Sequence, residues 1–363
     1  MAAKSKMLIV FAVVLAVLAA CEKKLDQDLK GPLTFAVTFE NFDGGAPDSP
    51  IPYSREARQV TFSVEAIDMQ GDVASWFEGD VEVSLAPRGR LALGQDKTVR
   101  LTSGVVKDAQ VAVERLHGQA ALWVEDRGTK EAPGSFAVGL SPTIYVDNPY
   151  LSDIQHTDAT GTSPLKGDFV QINLDGRQAV VTGMTKDGFY LTDVSDPEGE
   201  FNAIYVYTHS LPKYISPGVE IVSLSGTVEE YYGFTELGFP SYEVGEISEI
   251  PPADVLTPAT VADDLEMEKR ESTLVRILDG TVCPLSSDFE RYGQWSINID
   301  PASSCSAGGS LLNVVSSYTV EWFEPSEYVG KKVKSITGNL RQHTSASPMW
   351  IVYTRDNSDI VVE

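Results

Sequence analysis

"GDFVQINLDGRQAVVTGMTKDGFYLTDV", residues 167–194, holds three short runs in which apolar and polar residues alternate. Asp175-Gly176 and Lys186-Asp187-Gly188 separate the runs. Asp-Gly between alternating segments signals a hairpin, because glycine takes the positive φ that a tight turn between twisted strands requires. The stretch therefore reads as a meander. "NAIYVYT" (202–208) and "SPGVEIVSLSGTVEEYYGFTEL" (216–237) supply further strands. Five strands with glycines at points of sharp coiling suit a small OB-type barrel over residues 165–250.

The last hundred residues repeat this order in degenerate form. "STLVRILDGTV", "GQWSINID", "LLNVVS", "VKSITGNLRQ" and "MWIVYTRDNSDIVVE" follow one another, and "ITGNL" at 336–340 stands where "LSGTV" stood at 224–228. Repetition of one supersecondary unit argues for tandem barrels, the second over 273–363. Between them, 251–272 reads as a proline-led connector with one short helix over 261–271 (VADDLEMEKRE). Asp263, Asp264 and Glu266 favour its N-terminal end, Lys269 and Arg270 the other.

Upstream, short alternating segments such as Gln59–Ala66, Val81–Leu85, Val105–Val113 and Gln119–Glu125 are spaced by turn residues. That spacing indicates a β-sandwich over 33–146, with Phe62 and Trp123 in its core. Residues 146–164, with Pro142 and Pro149 leading out, read as a solvated linker that includes His156 and Asp158. The expected fold class is all-β: an Ig-like β-sandwich, then two OB-like barrels joined through one short helix.

The N-terminus reads as an address. Lys4 and Lys6 precede an apolar run from Met7 to Val17, which is too short to span a bilayer comfortably and has the flanks of a secretory signal over 1–20. Leu18-Ala19-Ala20-Cys21 resembles the lipobox of bacterial lipoproteins, which implies lipid attachment at Cys21 and a charged tether over 21–32. Glu22 is not the aspartate that retains enteric lipoproteins at the inner membrane, so the expected location is the outer membrane. The two remaining cysteines, Cys283 and Cys305, are expected to form a disulfide in an exported protein.

Three quoted segments carry a second resemblance. Gly188-Phe189-Tyr190-Leu191-Thr192-Asp193, Ile204-Tyr205-Val206-Tyr207 and Gly218 through Tyr231 resemble the OB-fold domain that accompanies the catalytic domain of secreted bacterial endonuclease/exonuclease/phosphatase-type nucleases. "VTFSVEAIDMQGD" (60–72) and "GQAALWVEDRG" (118–128) more generally resemble bacterial Ig-like domains. The nuclease resemblance implies an OB fold. It does not bring the activity, because the separate catalytic domain with its metal-binding carboxylates and His–Asp pair has no counterpart in this sequence.

Other chemistry is sparse. The four histidines, His117, His156, His209 and His343, sit in different expected elements, and no H-E-x-x-H, P-loop or G-x-G-x-x-G occurs. No constellation nominates a hydrolase, and no cofactor is expected. Asp193, Asp196, Glu198 and Glu200 form the candidate metal set, of a kind suited to calcium, although their spacing departs from the EF-hand pattern and equally suits a turn. Tyr231, Phe234, Phe239 and Tyr242 form the candidate ligand surface, while alternation places Tyr232 with Leu224 and Val228 in the core.

The whole chain has a formal charge of −24; without residues 1–20 it keeps 26 basic against 52 acidic residues, or −26. Such a chain repels phosphate backbones, and glutamates surround its aromatic cluster, so nucleic acid is a disfavoured partner. The sequence points to a non-enzymatic, lipid-anchored envelope protein serving binding, adhesion or assembly, with a protein or glycan partner. The alternative is an accessory nucleic-acid-binding subunit of an extracellular nuclease system.

Overall fold

The computed structural model describes residues 32, 34–128, 134–157, 161–305, 310–344 and 348–362. The leader, Cys21, the tether up to residue 31 and Asp158 lie outside these residues. The chain divides into two compact units after Asp147.

The first unit is a two-sheet sandwich. Its strands are β1 (Thr34–Phe39), β2 (Arg58–Ile67), β3 (Gly79–Ala86), β4 (Arg90–Leu91), β5 (Thr98–Leu101), β6 (Val105–Glu114), β7 (Gly118–Glu125), β8 (Val138–Leu140) and β9 (Ile144–Val146). One sheet runs β1-β2-β6-β4 and the other β5-β3-β7-β8, with β9 also on β7. Val60, Phe62 and Val64 from β2 meet Leu122 and Val124 from β7 in the core. Phe62 is buried as expected. Trp123 is not: Leu122 and Val124 hold the inward positions, and period-two alternation turns the indole to the other face of β7, where it is half-buried.

The second unit holds two closed barrels. The first comprises β10 (Phe169–Gln171), β11 (Ala179–Met184), β12 (Gly188–Asp193), β13 (Ala203–Tyr207), β14 (Val219–Tyr231) and β15 (Phe234–Ile247). The order β14-β11-β12-β13-β15 closes through the β14–β15 pairing, and β10 adds to β14. The second comprises β16 (Asp254–Val255), β17 (Leu274–Val282), β18 (Gln294–Asn298), β19 (Leu311–Val315), β20 (Lys332–Gln342), β21 (Trp350–Tyr353) and β22 (Ile360–Val362). Here β17-β18-β19-β21-β20 closes through β17–β20. Counting each barrel's five closing strands in chain order gives 1-2-3-5-4-1 in both, with the third and fifth parallel. The two barrels are therefore copies of one five-stranded closed topology of OB type. Tertiary closure leaves no free edge among those five strands.

The expected linker is part of this unit. Leu151–Gln155 is a short helix, and Leu151, Ile154 and Leu165 are buried. Gln155 Nε2 donates to the Ala203 carbonyl at 2.6 Å. Serine- and threonine-rich composition suggested solvent, but three apolar residues in this segment suffice to cap the first barrel. The expected single helix over 261–271 is also corrected. Two short helices, Pro258–Val261 and Asp264–Glu268, meet at Asp263, whose carboxylate accepts from Leu265 N and Glu266 N and so starts a new helix. A further helix, Ser287–Tyr292, begins at the Ser286 cap and ends at left-handed Gly293.

Cys283 and Cys305 are joined, with Cα atoms 5.6 Å apart. The bridge ties the end of β17 to the β18–β19 connection, beside the core formed by Trp295, Ile297, Val314 and Val352.

Candidate functional site

The segment "EEYYGFTEL" (229–237) forms the seam between the two barrels. Tyr231 and Phe234 are opposite each other in register, leaving Tyr232-Gly233 as a two-residue turn with φ of 53° and 82°. Both φ values are positive, as a type I′ turn demands, so strand alternation stops before Tyr232. The ring expected in the core is half exposed and stacks on His343 of the second barrel at 4.6 Å and 13°. Its carbonyl accepts from Thr344 N. An aromatic residue at positive φ costs on the order of 1 kcal/mol, which these cross-barrel contacts offset. Gly233 is required here: a Cβ would lie 2.3 Å from Gln342 Oε1 and 2.8 Å from Thr344 Oγ1. Gly233→Ala is expected to destabilise the second unit by about 1–2 kcal/mol in urea denaturation. A loss near zero would mean the turn does not hold the seam.

The four aromatic residues proposed from sequence as a ligand surface do not form one. Phe234 is fully buried, because it packs on Tyr205 beneath Arg341 of the second barrel. Tyr231 is half exposed, edge-on to Tyr232. Phe239 is exposed and packs on His209, while Tyr242 lies edge-on to Phe189 and bonds the Lys213 backbone. Only Tyr231 and Phe234 share a partner, and that partner is a cation the sequence did not single out.

The cation is Arg341, on β20. Ile336 and Leu340 on that strand point into the second barrel's core, so Asn339 and Arg341 face the other way, toward the first barrel. There Tyr190, Tyr205 and Phe234, from three strands, form an aromatic row. The Arg341 guanidinium carbon lies 4.7 Å from the Phe234 ring centre, 5.6 Å from Tyr205, 5.8 Å from Tyr353 and 5.9 Å from Tyr231. Each distance is within the range of cation–π attraction. Asn339 Nδ2 completes the joint by donating to Thr182 Oγ1 at 2.8 Å.

Beside this joint is a cavity of about 660 Å³, within the range of small-molecule sites. The first barrel contributes the β11–β12 hairpin, Met184 to Asp187, with Tyr190. The second contributes Tyr292, Tyr318, Thr319, Asn339, Arg341, Tyr353 and Arg355. The hairpin is itself well ordered by hydrogen bonds. Thr185 Oγ1 and Tyr205 Oη lie 2.6 Å apart, and both donate to Asp187 Oδ1, at 2.9 and 3.1 Å. Gly188 permits this, since a Cβ there would stand 2.4 Å from Tyr205 Oη.

Several polar groups in the wall lack partners. Tyr190 Oη and Asn339 Oδ1 are buried without a hydrogen bond. Arg341 has no carboxylate within 4 Å among the described residues, so its charge rests on the rings and on the Tyr190 hydroxyl beside it. Burial drives the Tyr190 hydroxyl well above its ordinary value, which keeps it a neutral donor. Burial also pushes Glu236, opposite Tyr205 in register, up to about 7 against the pull of Arg341. Glu236 is therefore partly protonated near neutral pH, and the guanidinium is incompletely balanced.

The acidic loop is organised differently from a metal site. Asp193 and Asp196 both lie beside Arg177, at 3.5 and 3.6 Å. Asp196 also accepts from Ser152, Asp193 from Ser195, and Glu200 pairs with Lys269 at 3.3 Å. Glu198 is exposed. Among the described residues no three His, Cys, Asp or Glu side chains are grouped so as to hold a metal ion.

The sequence signal for Arg341 and Asn339 was a polar i, i+2 pair on one strand face, which ordinarily denotes solvent. No family model matches this chain. No curated protein matches it either.

Proposed function

We propose that the chain is a lipid-anchored, non-enzymatic envelope protein that captures a small ligand in the seam between its OB barrels. The observation that carries this reading is the cavity beside Arg341, whose wall leaves Arg341 without a carboxylate and the Tyr190 hydroxyl and Asn339 Oδ1 without a hydrogen bond of good geometry. Unpaired buried polar groups cost about 1–3 kcal/mol each, a penalty that a bound ligand relieves. The lining favours recognition over catalysis: it includes no histidine, cysteine or glutamate, and its one acid, Asp187, is occupied by Thr185 and Tyr205. The anchor rests on Leu18–Cys21, and Cys21→Ser should abolish incorporation of labelled palmitate.

Binding is tested by ligand-detected NMR of the small molecules in an envelope extract, against wild type and Met184→Trp. Met184 lines the cavity and is 38% exposed, so an indole there fills the void without disturbing the core. Resonances attenuated by wild type should recover with the plugged variant. Equal attenuation by both proteins would refute the seam as the site. A salt-dependent shift of single-stranded DNA would instead support the nuclease-accessory role.

A further inference from the structure

The seam pocket carries a charge that the rest of the chain opposes. Against an overall −24, its lining includes Arg341, Arg355 and Lys186 and a single acid, Asp187. Two of these four charges are engaged within the protein. Arg355 Nη2 pairs with Asp359 at 2.7 Å and its Nη1 donates to the Thr182 carbonyl, while Asp187 accepts from two hydroxyls. Lys186 sits exposed at the hairpin tip and has no ion-pair partner among the described residues. Arg341 is held between rings with no carboxylate partner and only the Tyr190 hydroxyl near its N–H donors, although a guanidinium offers five in a planar fork suited to carboxylate or phosphate. Tyr190 Oη, buried and unpartnered, lines the same cavity.

These groups specify opposite ends of a ligand. Arg341 and the Tyr190 hydroxyl call for anionic oxygen in a desolvated place, where a charge-assisted bond is strong. Tyr292 and Tyr318, 63% and 86% exposed, offer ring faces at the cavity, and the Thr185 and Thr319 hydroxyls, both already bonded within the protein, line it as further acceptors. That combination of apolar faces and hydroxyls fits a sugar-like ring. A bare inorganic anion leaves the tyrosines unused, and a neutral sugar leaves Arg341 unsatisfied. A cavity of about 660 Å³ accommodates one or two such rings.

The geometry points to an acidic sugar as the ligand of this pocket, with its carboxylate or phosphate on Arg341 and Tyr190 and its ring against the tyrosine wall. This inference rests on the seam being the binding site. Isothermal titration of the full-length protein with D-glucuronate, D-glucose 6-phosphate, D-glucose and inorganic phosphate tests it. One of the two acidic sugars should bind at least about 10-fold more tightly than glucose and than phosphate, and whichever does identifies the anionic group. Arg341→Met should weaken that binding by roughly 30-fold or more.

Because Arg341 also joins the barrels, two gentler variants keep the test decisive. Tyr190→Phe should weaken binding about 5–10-fold while leaving the thermal midpoint unchanged or higher, since it deletes a hydroxyl that lacks a partner in the unliganded protein. Lys186→Glu, on an exposed turn, should weaken binding a few-fold and reduce its salt dependence. Failure of both acidic sugars to bind, or affinities indifferent to Tyr190→Phe and Lys186→Glu, would overturn the inference. If a neutral molecule proves to be the one displaced by Met184→Trp, the anion assignment falls and the seam reading stands. If the plug displaces nothing, both fall.

Discussion

Removing the Cys283–Cys305 bridge is expected to cost the second unit about 3 kcal/mol, the value the chain-entropy model assigns to a loop of this length. The bridge spans 22 residues, which include the helix Ser287–Tyr292 and all of β18. Strand β18 carries Trp295, the largest fully buried side chain, whose indole N–H donates to Ser316 Oγ at 3.1 Å. Reduction releases both ends of this segment in the unfolded chain without removing a core group, so the loss is chiefly one of unfolded-state restraint. For a unit of this size the thermal midpoint should fall by roughly 6–12 °C. Calorimetry of the Cys283→Ala, Cys305→Ala variant measures it, with the first unit's transition as internal reference. A fall confined to a degree or two would show that the β17–β18 pairing and the Trp295 core hold this segment unaided.

Stability of the second unit is expected to decline between about pH 5 and pH 8, and Glu268→Gln should remove its share of that decline. Glu230, Glu268 and Glu271 lie at the seam, where Glu268 Oε1 accepts from Gln342 Nε2 at 2.5 Å. Glu230 Oε2 and Glu271 Oε2 have no partner. Burial raises all three: Glu268 to about 7, with Glu230 and Asp264 adding to the rise, and Glu271 well above the carboxylate range with help from Glu268 and Glu230. A folded pKa above the unfolded value of about 4.5 means that the folded state holds the extra proton. For Glu268 the resulting stability is complete below pH 4.5 and is lost as pH rises through about 7. For Glu268 the loss amounts to roughly 2 kcal/mol after allowance for partial solvent screening. Glu268→Gln keeps the acceptor for Gln342 and removes the titration. It should therefore stabilise at pH 8 by about that amount and leave pH 4.5 unchanged. Glu271, Glu236 and Glu230 are raised in the same sense, so a shallower slope remains. Hydrogen exchange along Lys332–Gln342 reports the effect; equal protection of wild type and variant at pH 8 would contradict the assigned burial cost.

Most of the fold was legible in local pattern. Period-two alternation and Asp-Gly turns mark the strands from Phe169 to Asp193, and the echo of "LSGTV" in "ITGNL" marks the second barrel. The structure places these two pentapeptides on β14 and β20, the fourth closing strand of each barrel. Errors arose where a local signal had two readings. Trp123 is large and apolar, yet strand parity, fixed by Leu122 and Val124, turns it from the core. Residues 148–165 are polar in composition, yet Leu151, Ile154 and Leu165 among them are buried. Tyr232 obeys alternation on paper, but it occupies a turn position that alternation does not govern.

What the sequence by itself determined is the strand order, and with it two barrels of one topology, together with the pairing of the only two cysteines beyond Cys21. A period of two and a glycine at a turn are local properties, read within a few residues. Only the tertiary structure decided where the barrels meet and what the meeting encloses. Arg341 is a polar residue on a strand face until Phe234, more than a hundred residues earlier, is brought beneath it. Its charge, the orphaned Tyr190 hydroxyl and the cavity between them arise from long-range packing of two surfaces, and no window of the chain contains both.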